Sequence, residues 1–383
     1  MIESIKPMSQ DAQTRIALCR QAFRALHGLD SDATQPAYSL EDDDGLLRWA
    51  RRHRVLGLLH AQARSAAPPW RNAAYGQAAF TARCTSLAER LQARFREAVP
   101  DIVLVKGPAL ARQAWPDLGM RSFDDLDYRC PFSAYDALCR TMAAEKCEPE
   151  HSDPIQQSHY WHFGWGIMFR HPQGILIEAN HRAFPPHFPC IQSPTVEDER
   201  RCESLALDTE TVRAPTPAHH LLICSMHLLW HGGERLGWVA DIAGLLARYP
   251  DVFEQADEIS TTESAFARRA LNTACALAEK LLGPNLVQIS LPMVSAQALR
   301  TLEEHLQSDL PPRPASVRAL HAALLSPLEK TRYAMRSAFT PGDGDFRDTT
   351  FSEKRRWLYW IRRPWRILRK PRSPHAAAAQ DEP

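Results

Sequence analysis

Two aspartates two residues apart, Asp125 and Asp127, lie in the stretch RSFDDLDYRC. Side chains alternate along a β-strand, so both carboxylates would share one face, about 7 Å apart. Paired carboxylates at that spacing suit hard, oxygen-preferring cations such as Mg²⁺ or Mn²⁺. A third carboxylate, Glu178, closes the apolar run GILIE, where burial alone disfavours an acid. Upstream, VLVKGP reads as a short strand broken at Lys106-Gly107-Pro108. Gly107 can take backbone angles closed to other residues and lets a ligand come close. Pro108 suits the first turn of a following helix, where its missing N–H has no intrahelical partner. Backbone N–H groups at this turn and at the helix N-terminus could bind a phosphate. Lys106 and Arg121 would add positive charge beside it. The set fits transfer of a phosphate-containing group, in which two metal ions stabilise the attacking and leaving oxygens. Asp125 and Asp127 would hold metal, and Glu178 would complete the site or take the proton of the attacking hydroxyl.

The elements that must position these residues follow from periodicity and punctuation. Residues 1–98 read as helices, the last covering roughly 72–98. Residues 99–213 carry the strand signals: VLV, the aspartate strand, a helix over 133–146, then YWHFGWGIMFR and GILIEANHR around a turn at His171 to Gly174. His159 and His162 fall in that hairpin. Residues 214–338 turn helical again. Thr216-Pro217 opens a helix, Gly232-Gly233 ends it, residues 236–249 form the next with Asp241 in its middle, and two or three more lie between 262 and 338. Residues 339–383 read as a linker over 340–350 and a basic aromatic tail. The class is α+β, a small mixed sheet with helices, flanked by mainly helical regions.

The whole-chain numbers narrow the partners. Of 383 residues, 44% are apolar and 24% charged, as in ordinary globular proteins. A net charge of +1 speaks against a general nucleic-acid binder, so no stable nucleic-acid partner is expected. Nine scattered cysteines without a C-x-x-C pair suit reduced thiols. The start shows no basic and apolar leader, and no apolar run approaches the roughly 18 residues of a spanning helix. The expectation is a cytoplasmic protein. The segment EKRRWLYWIRRPWRILRKPR has three readings: a terminal helix packing its Trp and Leu residues with arginines in water, a weak contact with an anionic membrane surface, or a nucleic-acid contact.

In ordered combination, LVKG at 104–107, RSFDDLD at 121–127, IEANH at 177–181 and MHLLWHGGERLGWVADI at 226–242 resemble the bacterial nucleotidyltransferase-like family of the polymerase-beta superfamily. The resemblance runs from about residue 45 to 250. It implies a polymerase-beta-like nucleotidyltransferase core, an NTP such as ATP as substrate and a divalent metal. The acceptor, a small molecule, glycan or peptide, is not named by any motif. Asp125, Asp127 and Glu178 take the catalytic and metal-binding positions, and Lys106, Gly107 and Arg121 the phosphate side. The resemblance sets the helix of His227 beside the core, so His227 and His231 either line the nucleotide cleft or sit at a helix–helix contact. A zinc site there lacks a third ligand. Asp241 either bonds a neighbouring helix or faces the cleft, because a buried acid needs a partner. Two departures stand out. Pro108 replaces the serine that many members use on phosphate, and Asn180 stands where a histidine is usual, with His181 one place later. They lend some weight to the alternative, a catalytically inactive nucleotide-binding or scaffold protein with the same fold.

Overall fold

The computed structural model of the chain describes residues 10–29, 38–188, 201–283, 286, 291, 294–348 and 351–369. Seven strands matter here: β1 (Val103–Val105), β2 (Asp125–Arg129), β3 (Glu148–Pro149), β4 (Gly166–Arg170), β5 (Leu176–Asn180), β6 (Cys202–Ala206) and β7 (Thr211–Pro215). The first five form one mixed sheet in the order β1-β2-β5-β4-β3, while β6 and β7 pair separately. Within this sheet only β2 and β5 run parallel, and their register sets Asp127 opposite Glu178. Val105 lies opposite Asp127 on the other side, and Met168 opposite Glu178.

Alternation splits the sheet into two unlike faces. Leu104, Leu126, Tyr128, Ile167, Phe169, Ile177 and Ala179 point to one side and are buried. They pack with Cys84, Leu87, Leu91 and Phe95 of helix α1 (Pro68–Ala98) and with Leu138 and Met142 of the helix Tyr135–Ala144. The opposite face carries Asp125, Asp127, Arg129, Glu178 and Asn180. Near β1 it is covered by Ile223, which packs on Val103 and Val105. A polar sheet face partly roofed by helices leaves a cleft.

The roof consists of α3 (Pro217–Trp230) and α4 (Leu236–Arg248), preceded in the chain by the short α2 (Gly107–Ala114). The predicted start of α3 is present: Thr216 Oγ1 accepts the His219 N–H and Pro217 follows. Gly244 of α4 lets the helix close on α2, since a Cβ there would meet the Ala114 carbonyl at 2.3 Å. Helices before and after the sheet share one core. Phe23, Leu58 and Trp70 pack in the same cluster as Leu222, Phe266, Leu302 and Leu324.

The class is the expected α+β. Some local expectations change. YWHF is not strand: Pro154–Phe163 is a helix whose cap, Asp153, accepts the Ile155 N–H at 2.9 Å. A cap followed by proline outweighs the strand preference of aromatic residues here. His159 and His162 therefore lie on a helix, not in a hairpin. The region 262–338 holds four helices among the described residues: Ala265–Leu282, Ala296–Gln307, Pro314–Leu324 and Pro327–Phe339. The expected linker contains the short helix Asp343–Asp348, which buries Asp345 and Phe346 against the body. A final helix, α5 (Leu358–Arg369), follows.

Candidate active site

The first strand ends in an unusual turn. Lys106 sits at φ 62°, ψ −147° and Gly107 at φ 47°. A left-handed lysine costs on the order of 1–3 kcal/mol and persists only where its surroundings hold it. The holder is His220 of α3. Its Nε2 accepts the Lys106 N–H at 3.0 Å. Its Nδ1 faces Gln113 Oε1, while Gln113 Nε2 donates to the Pro215 carbonyl at 2.9 Å and to Glu203 Oε1 at 2.8 Å. Because a carbonyl only accepts, the Gln113 orientation fixes His220 as the Nδ1–H tautomer. Burial keeps His220 far below the ordinary imidazole pKa, hence neutral. One sequence expectation changes as a result: the Lys106 N–H is committed to His220, and Pro108 has none to offer. Neither is available for a phosphate.

Lys106 instead contributes its side chain. Nζ lies 3.1 Å from Asp127 Oδ2. Burial acts against the ammonium charge, but Asp127, Asp125 and Glu178 outweigh it and hold the pKa above the ordinary value. The carboxylates feel the reverse. Burial first, then repulsion from Asp125, pushes Asp127 up, against the pull of Lys106. Burial first, then repulsion from Asp127 and Asp125, pushes Glu178 up as well. Asn180 Nδ2 donates to Glu178 Oε2 at 3.4 Å, a weak compensation. His181, on the other face, turns its ring to the Trp161 carbonyl at 2.5 Å and lies outside the cleft.

Asp125, Asp127 and Glu178 all line one cleft of about 340 Å³ between the sheet and α3–α4, together with Lys106, Gly107, Arg121 and His227. Asp241 does not line it. Its Oδ1 and Oδ2 accept Arg121 Nε at 2.8 Å and Nη2 at 3.0 Å, and Oδ1 also accepts Trp115 Nε1 at 2.7 Å. Arg121 Nη1 reaches the Gly107 carbonyl at 3.4 Å. Of the two readings of Asp241, the structure realises the bond to a neighbouring element. Arg121 is largely consumed by that clamp, so it braces the turn more than it offers charge to a ligand.

The cations that face the cleft were not legible in the sequence. Arg54, Arg182 and Arg235 line it. Arg54 pairs with Asp124, Arg182 Nη1 donates to the Gly164 carbonyl at 3.2 Å, and Arg235 lies over the Trp238 ring at 5.1 Å. The runs RRHR and HGGER held Arg54 and Arg235, and Arg182 follows IEANH, but such charges ordinarily read as solvated surface. Opposite the carboxylates, His227 and His231 pack at 4.5 Å between ring centres, and each meets Trp238 at 4.8 and 5.1 Å. Burial, then Lys106, keeps both histidines neutral. This wall offers flat rings for stacking.

The residues fit a hard divalent cation. Three carboxylates from two adjacent strands face one ammonium, which leaves negative charge in a buried place, and their donors are all oxygen. Among the described residues no three His, Cys, Asp or Glu side chains form a ready-made metal cage. Mg²⁺ needs none, because it keeps waters and takes one or two carboxylates plus substrate phosphates.

The burial and mutual repulsion of these carboxylates have a thermodynamic consequence. An acid whose folded pKa is raised costs stability in full above that pKa, and the cost fades as pH falls from there to the ordinary carboxylate value. Glu178→Gln should therefore stabilise the metal-free protein by about 1–3 kcal/mol near pH 8 and by little near pH 5. Urea denaturation at the two pH values checks this, and equal effects at both would contradict it.

The sequence profile of a family described as uncharacterised nucleotidyltransferase matches residues 39–283. No curated protein matches the chain.

Proposed function

The chain belongs to this nucleotidyltransferase family, and on that premise we propose that it moves a nucleoside monophosphate from an NTP to an acceptor hydroxyl with divalent metal. The observation that carries the reading is the single cleft where Asp125, Asp127 and Glu178 meet Lys106 and the arginines. Asp125 and Asp127 would hold Mg²⁺ or Mn²⁺, with Glu178 beside them. The bound ion would supply positive charge to the transferring phosphate. Lys106, Arg54 and Arg235 suit the triphosphate, and the His227–Trp238 wall suits the base of an NTP such as ATP.

Glu178 also borders a second cavity of about 330 Å³, with Trp165, Asn180 and Trp230 shared between the two. Tyr160, Phe163 and Phe346 make its far side aromatic. This side suits the acceptor, a small molecule, glycan or peptide. The acceptor oxygen would attack the α-phosphorus, the bond to the bridging oxygen would break, pyrophosphate would leave, and the hydroxyl proton would pass to Glu178. A carboxylate raised toward neutrality by burial and then by its neighbours is a competent base.

Calorimetry of each NTP, with and without Mg²⁺ or Mn²⁺, tests the reading. Tight binding is expected only with metal, and it should weaken as pH falls, because protonating Asp127 and Glu178 removes the charge that holds the ion. Metal-independent binding, or none, would oppose it. The alternative of an inactive nucleotide-binding scaffold draws on Pro108 and on the Lys106 amide committed to His220. It predicts binding with no pyrophosphate released for any acceptor.

A further inference from the structure

Helix α5 is built inside out. Its 3.6-residue repeat sets Tyr359, Arg363 and Arg366 on one face. Tyr359 is fully buried. Arg363 Nη1 lies 2.6 Å from Asp345 Oδ2, and Arg366 Nε lies 2.5 Å from Asp345 Oδ1, with Asp345 itself fully buried. The opposite face carries Ile361, Trp365 and Leu368, which are 55, 60 and 78% exposed, while Trp360 lies between the two faces with its ring against Phe163. A helix on a soluble protein ordinarily turns its apolar stripe to the core. Here guanidinium groups face the body and the apolar stripe faces outward, which is the reverse of a helix that packs its Trp and Leu residues.

Cations border that stripe. Arg362 and Arg369 flank it by helical position, and exposed Lys354 and Arg355 precede the helix. We infer that α5 lies in the plane of an anionic membrane surface, its outward tryptophan ring and aliphatic side chains among the headgroups and its basic rim on the lipid phosphates. Tryptophan suits such a boundary, with an apolar ring and one polar N–H. The charge pattern selects lipid over a second copy of this chain, because two copies would bring like-charged rims together. No helix among the described residues is long and apolar enough to cross a membrane, so this contact lies along the surface. The double tie to Asp345 fixes the helix to the body. Docking would therefore hold the whole protein in one orientation. This inference does not depend on the catalytic reading.

The test is pelleting of the full chain with vesicles of phosphatidylcholine alone or mixed with phosphatidylglycerol. Partition onto the anionic vesicles should exceed that onto neutral ones by about tenfold or more and weaken as salt rises. Trp365→Ser/Leu368→Ser should lose about tenfold while keeping the wild-type unfolding midpoint, since both residues are exposed. Equal pelleting with both vesicle types would overturn the proposal, as would a folded variant that pellets like wild type. A concentration-dependent dimer that the variant loses would also overturn it and assign the face to a second copy. Retention on an oligonucleotide without pelleting would overturn it in favour of nucleic acid.

Discussion

Asp127→Asn is expected to lower turnover by about 10³-fold or more, with metal-dependent nucleotide binding lost in the Asp125→Asn/Asp127→Asn double variant. The change removes charge at nearly constant shape, so the magnitude reports charge stabilisation of several kcal/mol at the transferring phosphate. Asp127 occupies the centre of the site. It is buried, stands opposite Glu178 in register, and is the carboxylate that Lys106 touches. Asparagine can still accept from Lys106 through its oxygen, so the turn need not move. Stability should hold or rise, because one of the mutually repelling buried charges is gone. A second signature follows from the same electrostatics. Asp127 contributes to raising Glu178, so in the variant the acid limb of any residual activity should move to lower pH. Steady-state rates across pH, paired with thermal unfolding, separate these effects. Turnover retained with wild-type metal dependence would mean that the reacting phosphate lies elsewhere.

How much of this site could be read from the sequence depends on the range over which each interaction acts. Alternation within one strand is local, and it suffices to put Asp125 and Asp127 on one face. The strand, glycine and helix order at Lys106 is also local. Glu178 was legible only as an acid out of place at the end of an apolar run. What makes it part of the site is a parallel pairing between strands that are distant in sequence. His220, which holds the Lys106 backbone, gave no signal, since it resembles any histidine on a buried helix face. The cleft arginines were hidden for another reason: Arg54, Arg182 and Arg235 come from three separate loops and helix ends, and only the tertiary fold points them together. Of the three readings of the C-terminal helix, the one that packs its Trp and Leu residues does not hold, because amphipathic periodicity tells which residues share a face but not which face turns inward. Asp345 decides that, from a segment that read as linker.

The same long-range logic makes Asp241 a costly position to change. Asp241→Ala should destabilise the protein by about 3–5 kcal/mol, since it strands a buried guanidinium without its counter-charge. Burial works against the charge on Arg121, and Asp241 more than restores it through two hydrogen bonds. Trp115 Nε1 loses its acceptor in the same stroke. A single loss of this size, however, does not show what the pair is for. Replacing both partners with apolar residues, Arg121→Met with Asp241→Leu, removes the stranded charge, and such exchanges are commonly neutral or stabilising. The double variant should therefore regain more than half of the lost stability in urea denaturation. If the pair serves stability alone, nucleotide binding should return with it. The contact from Arg121 Nη1 to the Gly107 carbonyl argues otherwise. That contact braces a turn whose lysine is held in a strained conformation, and a methionine cannot replace it. A folded double variant with metal-dependent NTP affinity still reduced tenfold or more, by about 1.4 kcal/mol or more, would make Arg121 a positioning residue for the Lys106-Gly107 turn. Full recovery of affinity would reduce the pair to a structural clamp.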